Sequence, residues 1–345
     1  MVPAAEAARR ASGRITGRLR SLPILALSIH SACNCRCVMC DIWKANANRR
    51  EISPEALASH VAAIRNLHVT RVMLTGGEPL LNRDVWMLCG LLRSEGIAVT
   101  LVTTGLLIEL HADAITSHID TLVVSVDGPG DLHDAIRRVP GGFNKIRRGI
   151  EALRKAPRHP RLIARSVLQR GNHSRVSETI AAAREAGFDE LSFLAADLSS
   201  KAFNRPEPWG EERRAEVAIS AGELPQFEEA IELARTNEAA AFATGFVAGG
   251  VESLTRIHRY YAAVAGLKTF PKVRCNAPWV SAVLEPGGTV RPCFFHDAYP
   301  AAPGDFGETL NSAKAAAFRK SLDVATNPTC QRCVCSLNLP MLEEV

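Results

Sequence analysis

Apolar runs of strand character alternate with helical spacings along most of the chain. Residues 24–30 (Ile-Leu-Ala-Leu-Ser-Ile-His) form the first run, and five more follow at 71–75, 98–103, 121–126, 162–168 and 191–194. Between them, Ser53 and Pro54 make a cap and first-turn pair ahead of Leu57, Val61 and Ile64, which fall at helical spacing. Further helices are expected near 84–95 and over 174–186, where Gly187 is placed to end the second. Six strands alternating with helices predict parallel βα units. Ligands in such folds bind at the C-terminal ends of the strands, so the residues there carry the interest. Periodicity alone does not separate a partial barrel from a doubly wound sheet.

The pattern then changes. Pro206, Pro208 and Pro225, with a charged patch over 211–216, read as a linker. A helix near 251–265, an apolar hairpin, a helical stretch over 311–322 and Cys-rich loops follow, and these read as a second, smaller domain. The expected division is a basic tail at 1–21, a βα domain at 22–240 and a C-terminal domain at 241–345.

The chain has 345 residues, enough to bury a large core, and its 47% apolar and 22% charged residues are ordinary for a globular protein. The net charge of +5 is modest, and much of it lies in Arg9, Arg10, Arg14, Arg18 and Arg20. That segment reads as a solvated or disordered tail, or as a short basic helix that could touch an anionic membrane, a partner or a nucleic acid; no nucleic-acid partner is expected overall. No signal-peptide core and no stretch of ~20 apolar residues is apparent. Ten Cys without an export signal point to a reducing cytoplasm and to metal ligation instead of disulfides.

Cys33, Cys37 and Cys40 follow the first strand with the spacing C-x3-C-x2-C. Three thiolates leave one iron of a four-iron cubane with an open position, whereas structural zinc usually takes two separated pairs. The second strand ends in Thr75-Gly76-Gly77-Glu78-Pro79, where two glycines permit close approach of a ligand and a carboxylate can accept from an ammonium group. Thr104 ends the third strand, Ser125 and Asp127 share one face at the end of the fourth, and the fifth carries Arg165. A second Cys set comprises Cys275, Cys293, Cys330 and Cys333, the first two flanking a hairpin with a Pro286-Gly287-Gly288 turn. Four thiolates suit a fully ligated cluster or a tetrahedral zinc. Cys335 is the leading substitute for any of the four, Cys35 reads as a bystander thiol, and Cys89 as core.

The Cys loop together with Gly76, Gly77 and Glu78 resembles the signature of radical S-adenosylmethionine (radical SAM) enzymes. Met39 stands where that family often has an aromatic residue. The resemblance implies a partial (β/α)6 TIM-like barrel, a 4Fe–4S cluster on Cys33, Cys37 and Cys40, and SAM chelating its open iron. It also implies cleavage of SAM to a 5'-deoxyadenosyl radical that takes a substrate hydrogen atom. Glu78 and its glycines would then meet the SAM amino group, Thr104, Ser125 and Asp127 the ribose or carboxylate, and Arg165 the carboxylate. The second Cys set resembles a twitch or SPASM-like domain, an α+β iron–sulfur unit, and implies one auxiliary 4Fe–4S cluster.

Asp197 and His296 are candidate proton acceptors near the substrate. The expected partners are a reductant such as flavodoxin or ferredoxin and a small-molecule or peptide substrate. Net oxidation in natural-product or ribosomal-peptide biosynthesis is the leading expectation. Epimerisation with Cys335 or Cys89 as hydrogen donor is one alternative, and a non-catalytic electron-transfer protein is another.

Overall fold

In the computed structural model, which describes residues 3–302 and 305–340, the six expected strands pair in chain order. The ends of the expected tail and C-terminal domain, at 1–2 and 341–345, and residues 303–304 lie outside the described residues. Strands β1 (Ile24–His30), β2 (Arg71–Gly76), β3 (Ala98–Thr103), β4 (Thr121–Ser125), β5 (Arg161–Leu168) and β6 (Glu190–Ala195) are all parallel. The sheet is open, as expected of a partial barrel: its eight strands run β6-β5-β4-β3-β2-β1-β7-β8.

Apolar residues of one face, among them Leu25, Leu27, Val72, Leu74, Leu101 and Leu122, are completely buried. Positions of the other face, including Ser28, Thr75, Ser125, Arg165 and Ser192, keep partial access to solvent. That alternation is the period-two signature of a strand whose concave side is not filled with core. Register sets Ser125, Arg165 and Ser192 side by side across three strands, giving a polar row on that face.

The Cys-rich C-terminal region does not build a separate sheet. Its strand β7 (Ser281–Leu284) pairs parallel to β1 over Ile24–Leu27, and β8 (Val290–Arg291) returns antiparallel to β7. Gly287 and Gly288, at φ 91° and 83°, make the tight turn between them. Cys275 and Cys293 thereby flank a hairpin that extends the sheet beside β1, the strand that launches the first set.

The basic N-terminal segment is ordered, against the expectation of a solvated tail. Helix Ala4–Thr16 packs on the C-terminal helices Ala313–Ser321 and Ala277–Val280. Glu6 accepts from both Arg9 and Arg10, so two of the arginines share one carboxylate within the helix itself. The expected helix after Ser53 is interrupted: Ser53 caps Pro54–Ala58 as foreseen, but a second helix, Val61–Asn66, starts afresh behind Ser59 and His60.

Candidate iron–sulfur and cofactor site

The Cys loop leaves β1 through a register break between Ser28 and His30. Asn46 clamps it, accepting from the Cys33 amide and donating to the Cys33 carbonyl, both at 2.9 Å. Trp43 Nε1 donates to the Cys40 carbonyl at 2.9 Å. From the other side, the carbonyls of Ile136 and Arg137, ending helix Gly130–Arg137, accept from the Val38 and Arg36 amides at 3.0 and 3.3 Å.

Gly76 and Gly77 lie directly against the Cys loop. A Cβ on Gly76 would lie 2.2 Å from the His30 carbonyl oxygen, and one on Gly77 would lie 2.0 Å from that of Ala32. Gly77 and Glu78 donate their amides to those carbonyls at 2.8 and 2.9 Å. The glycine pair is thus the seat on which the Cys loop rests.

Glu78 is completely buried, and its carboxylate is fully engaged by protein donors. Thr103 Oγ1 and the Leu80 amide donate to Oε1 at 2.8 and 3.0 Å, and the Thr104 amide donates to Oε2 at 2.7 Å. Burial pushes its pKa up against these hydrogen bonds. The side chain ties the ends of β2 and β3 together, so any contact with an ammonium group falls to the backbone of this turn. Thr104 is likewise turned inward, donating from Oγ1 to Asn34 Oδ1 of the Cys loop at 3.0 Å.

Asp127 is fully buried and holds protein groups. It accepts from the Val167 amide at 2.9 Å and from Arg137 Nε at 2.5 Å. Arg137, which sequence reasoning missed, extends Nη1 to 3.6 Å from Cys37 Sγ. Burial opposes its charge, but Asp127 and Cys37 override that and raise its pKa. No spacing rule marked it; its value arises from helix Gly130–Arg137 ending against the loop. Ser125 and Arg165 do remain on the concave face, with Arg165 Nε donating to Ser192 Oγ at 3.2 Å.

The donor chemistry fits a cluster. Cys35 lies within thiol hydrogen-bond reach of Cys33 and Cys37; its donation and the Arg137 charge pull Cys37 down to about 6, while the same contacts and burial keep Cys35 protonated. A repeated motif marks other thiols: the amide two residues on donates to the sulfur. Ile42 serves Cys40 at 3.4 Å and Ala277 serves Cys275 at 3.5 Å, and Phe295 and Cys335 do the same for Cys293 and Cys333. Such N–H groups stabilise thiolate and tune a cluster. Cys330 has His296 Nε2 at 3.3 Å instead.

The sulfurs of the second set interact electrostatically, Cys275 and Cys293 raising the pKa values of Cys330 and Cys333 behind the larger effect of burial. Among the described residues no three His, Cys, Asp or Glu side chains gather closely enough for a single metal ion. A cubane holding one thiolate per iron does not need that convergence.

The remaining candidates divide. His296 places Nε2 against Cys330 Sγ and its ring edge-on to Phe318. Asp197 lines a cavity of about 120 Å³ with Ser200, Phe295, Thr329, Arg332 and Cys333, yet its carboxylate is paired with Arg205 at 2.8 Å. Cys89 is fully buried in the apolar core in helix Val85–Ser94, and burial raises it to about 12, so it stays a protonated thiol packed among apolar side chains.

Comparison with known proteins agrees with the site. Residues 27–171 match the model of the Radical SAM superfamily, and this part of the chain is a radical SAM domain. An "AdoMet-dependent heme synthase" of Methanosarcina barkeri is 29% identical over 168 residues, covering 48% of each chain. A "GTP 3',8-cyclase" of Xanthomonas axonopodis pv. citri is 33% identical over 181 residues, 50% of this chain and 46% of that protein. The chain thus spans about half the length of these curated relatives.

Among solved structures, Streptococcus suis SuiB bound to its precursor peptide SuiA superposes with a TM-score of 0.61 at 14% identity, covering 96% of this chain and 74% of that one. The anSMEcpe protein with bound AdoMet and a peptide gives 0.60 at 18% identity, covering 90% and 87%. At these identities the likeness is one of fold. No helix among the described residues is long and apolar enough to cross a membrane.

Proposed function

We propose that the chain is a radical SAM oxidoreductase acting on a small molecule or a peptide in natural-product or ribosomal-peptide biosynthesis. Cys33, Cys37 and Cys40 would hold the catalytic 4Fe–4S cluster, and Cys275, Cys293, Cys330 and Cys333 an auxiliary one. When bound, cluster and SAM would supply a deoxyadenosyl radical that removes a substrate hydrogen atom. The protein's part is to seat the loop on Gly76 and Gly77, pin it through Asn46 and Arg137, and offer Ser125, Arg165 and Ser192 to ligand on the concave face. The observation that carries this reading is the Cys33–Cys40 loop at the end of β1, with Cys275 and Cys293 flanking the β7–β8 hairpin that pairs onto the same strand.

Four protein ligands would leave the auxiliary cluster no vacant iron, which favours electron relay and net oxidation. A reductant such as flavodoxin or ferredoxin would be the electron source. Anaerobic reconstitution should give roughly eight irons and eight sulfides per chain for two cubanes. About four irons with stoichiometric zinc would replace the auxiliary cluster by a structural metal.

Epimerisation keeps one specific support. Cys335 is exposed, its sulfur lies near enough to the Arg165 guanidinium on the concave face to feel that charge, and its pKa is nevertheless raised, chiefly by desolvation, so it keeps the S–H that a hydrogen-atom donor needs. In deuterated water an epimerase would place solvent deuterium on the product carbon, and Cys335→Ser would stop it; oxidation would leave no such label.

A further inference from the structure

Two aspartate–arginine couples flank the barrel Cys loop, and they are built alike. Asp127 and Asp197 each stand two residues beyond a strand end, after Ser125 of β4 and Ala195 of β6. Asp127 holds Arg137, whose Nη1 reaches Cys37 Sγ at 3.6 Å. Asp197 holds Arg205 Nη1 at 2.8 Å, with Ser200 Oγ donating to the same carboxylate oxygen at 2.6 Å. After Asp197, the negative groups that act on Arg205 most strongly are Cys40 and Asp41.

Arg205 is the less satisfied of the two. Its side chain is 1% exposed, and Nε and Nη2 have no hydrogen-bond partner among the described residues. Buried donors without acceptors are costly, and charged ones more so. The surroundings nevertheless hold the guanidinium in place. It stacks on Trp209 at 3.8 Å, Trp209 Nε1 donates to Asp41 Oδ2 at 2.7 Å, and Asn204 Nδ2 donates to the Asp41 carbonyl at 3.4 Å. Phe203 and Asn204 adopt φ of 61° and 64°, a left-handed pair that non-glycine residues enter at a cost. A strained, stacked and ion-paired segment thus keeps two free donors beside the Cys40 end of the loop.

A cubane on three thiolates is an anion whose sulfurs accept hydrogen bonds, and such bonds and nearby charge set its reduction potential. We propose that Asp127–Arg137 and Asp197–Arg205 form the charge-compensating shell of the barrel cluster, Arg137 serving Cys37 and the free Nε–Nη2 edge of Arg205 serving the Cys40 side, and that both hold the cluster at a higher potential. Both arginines are positioning residues in this role. The inference rests on Cys33, Cys37 and Cys40 being the cluster ligands.

The test is a potentiometric titration of the anaerobically reconstituted full chain, read by electron paramagnetic resonance. The barrel cluster is identified by the change in its signal on adding SAM. Arg205→Gln and Arg137→Gln should move its midpoint to more negative values, while Arg205→Lys, which keeps the charge, should move it less. An unmoved midpoint in Arg205→Gln with full iron content overturns the proposal. Should Arg205→Gln lose its iron, Asp197→Asn removes a negative charge and keeps the guanidinium, so the midpoint should rise; no rise overturns the proposal equally. A wild-type chain without any SAM-responsive cluster overturns the ligand assignment itself, and the shell with it.

Discussion

Glu78 shows how much structure a motif residue can hold by itself. Its carboxylate collects a hydroxyl and two amides at the ends of β2 and β3, so Glu78→Ala would strand three buried donors. With about 1–3 kcal/mol for each unsatisfied group, chemical denaturation should show a loss of several kcal/mol, and Glu78→Gln a smaller one. His133 supplies a pH dependence at the same scale. Burial lowers it to about 4 from an ordinary 6.5, so between those values the unfolded chain binds the extra proton. Stability from this site is therefore complete above pH 6.5 and falls as the pH drops toward 4, by about 3 kcal/mol in all. Denaturation compared at pH 7.5 and 5 should show about 2 kcal/mol of that loss, and His133→Gln should flatten it.

At the scale of elements, strands were legible and supports were not. All six parallel strands fall within a residue or two of their expected ends, because buried strands advertise themselves as short apolar runs. The Cys spacings and the glycine pair were legible too, since motifs are local. Arg137 and Arg205 were invisible, because each gains its role from a loop 100 or more residues away in sequence. The protein partners of Glu78, Thr104 and Asp127 were not legible for the related reason that sequence does not say which way a polar side chain turns at a strand end. Gly77→Ala tests the seat beneath the loop: its Cβ would need the space of the Ala32 carbonyl, so the loop must shift. The variant should fold with its sheet intact by circular dichroism but retain little barrel-cluster iron.

For the whole molecule, the pairing of β7 with β1 joins both Cys sets to one framework, where sequence suggested a separate small domain. The N-terminal helix, docked on the C-terminal helices, ties the chain's two ends together, so deleting residues 1–16 should lower the thermal midpoint of the whole protein and not of a detached tail. The proposed electron relay is tested at the same scale. Variants in which Cys275 and Cys293 become Ala should still cleave SAM while losing product formation.

The central claim is that the loop of Cys33, Cys37 and Cys40 carries a SAM-cleaving cluster. Anaerobically reconstituted protein should be incubated with SAM and a strong reductant, and the products separated by chromatography. The wild type should release 5'-deoxyadenosine and methionine in equal amounts, and the triple Cys33, Cys37, Cys40→Ala variant none. Absence of 5'-deoxyadenosine from wild-type protein with a full iron complement would contradict the account.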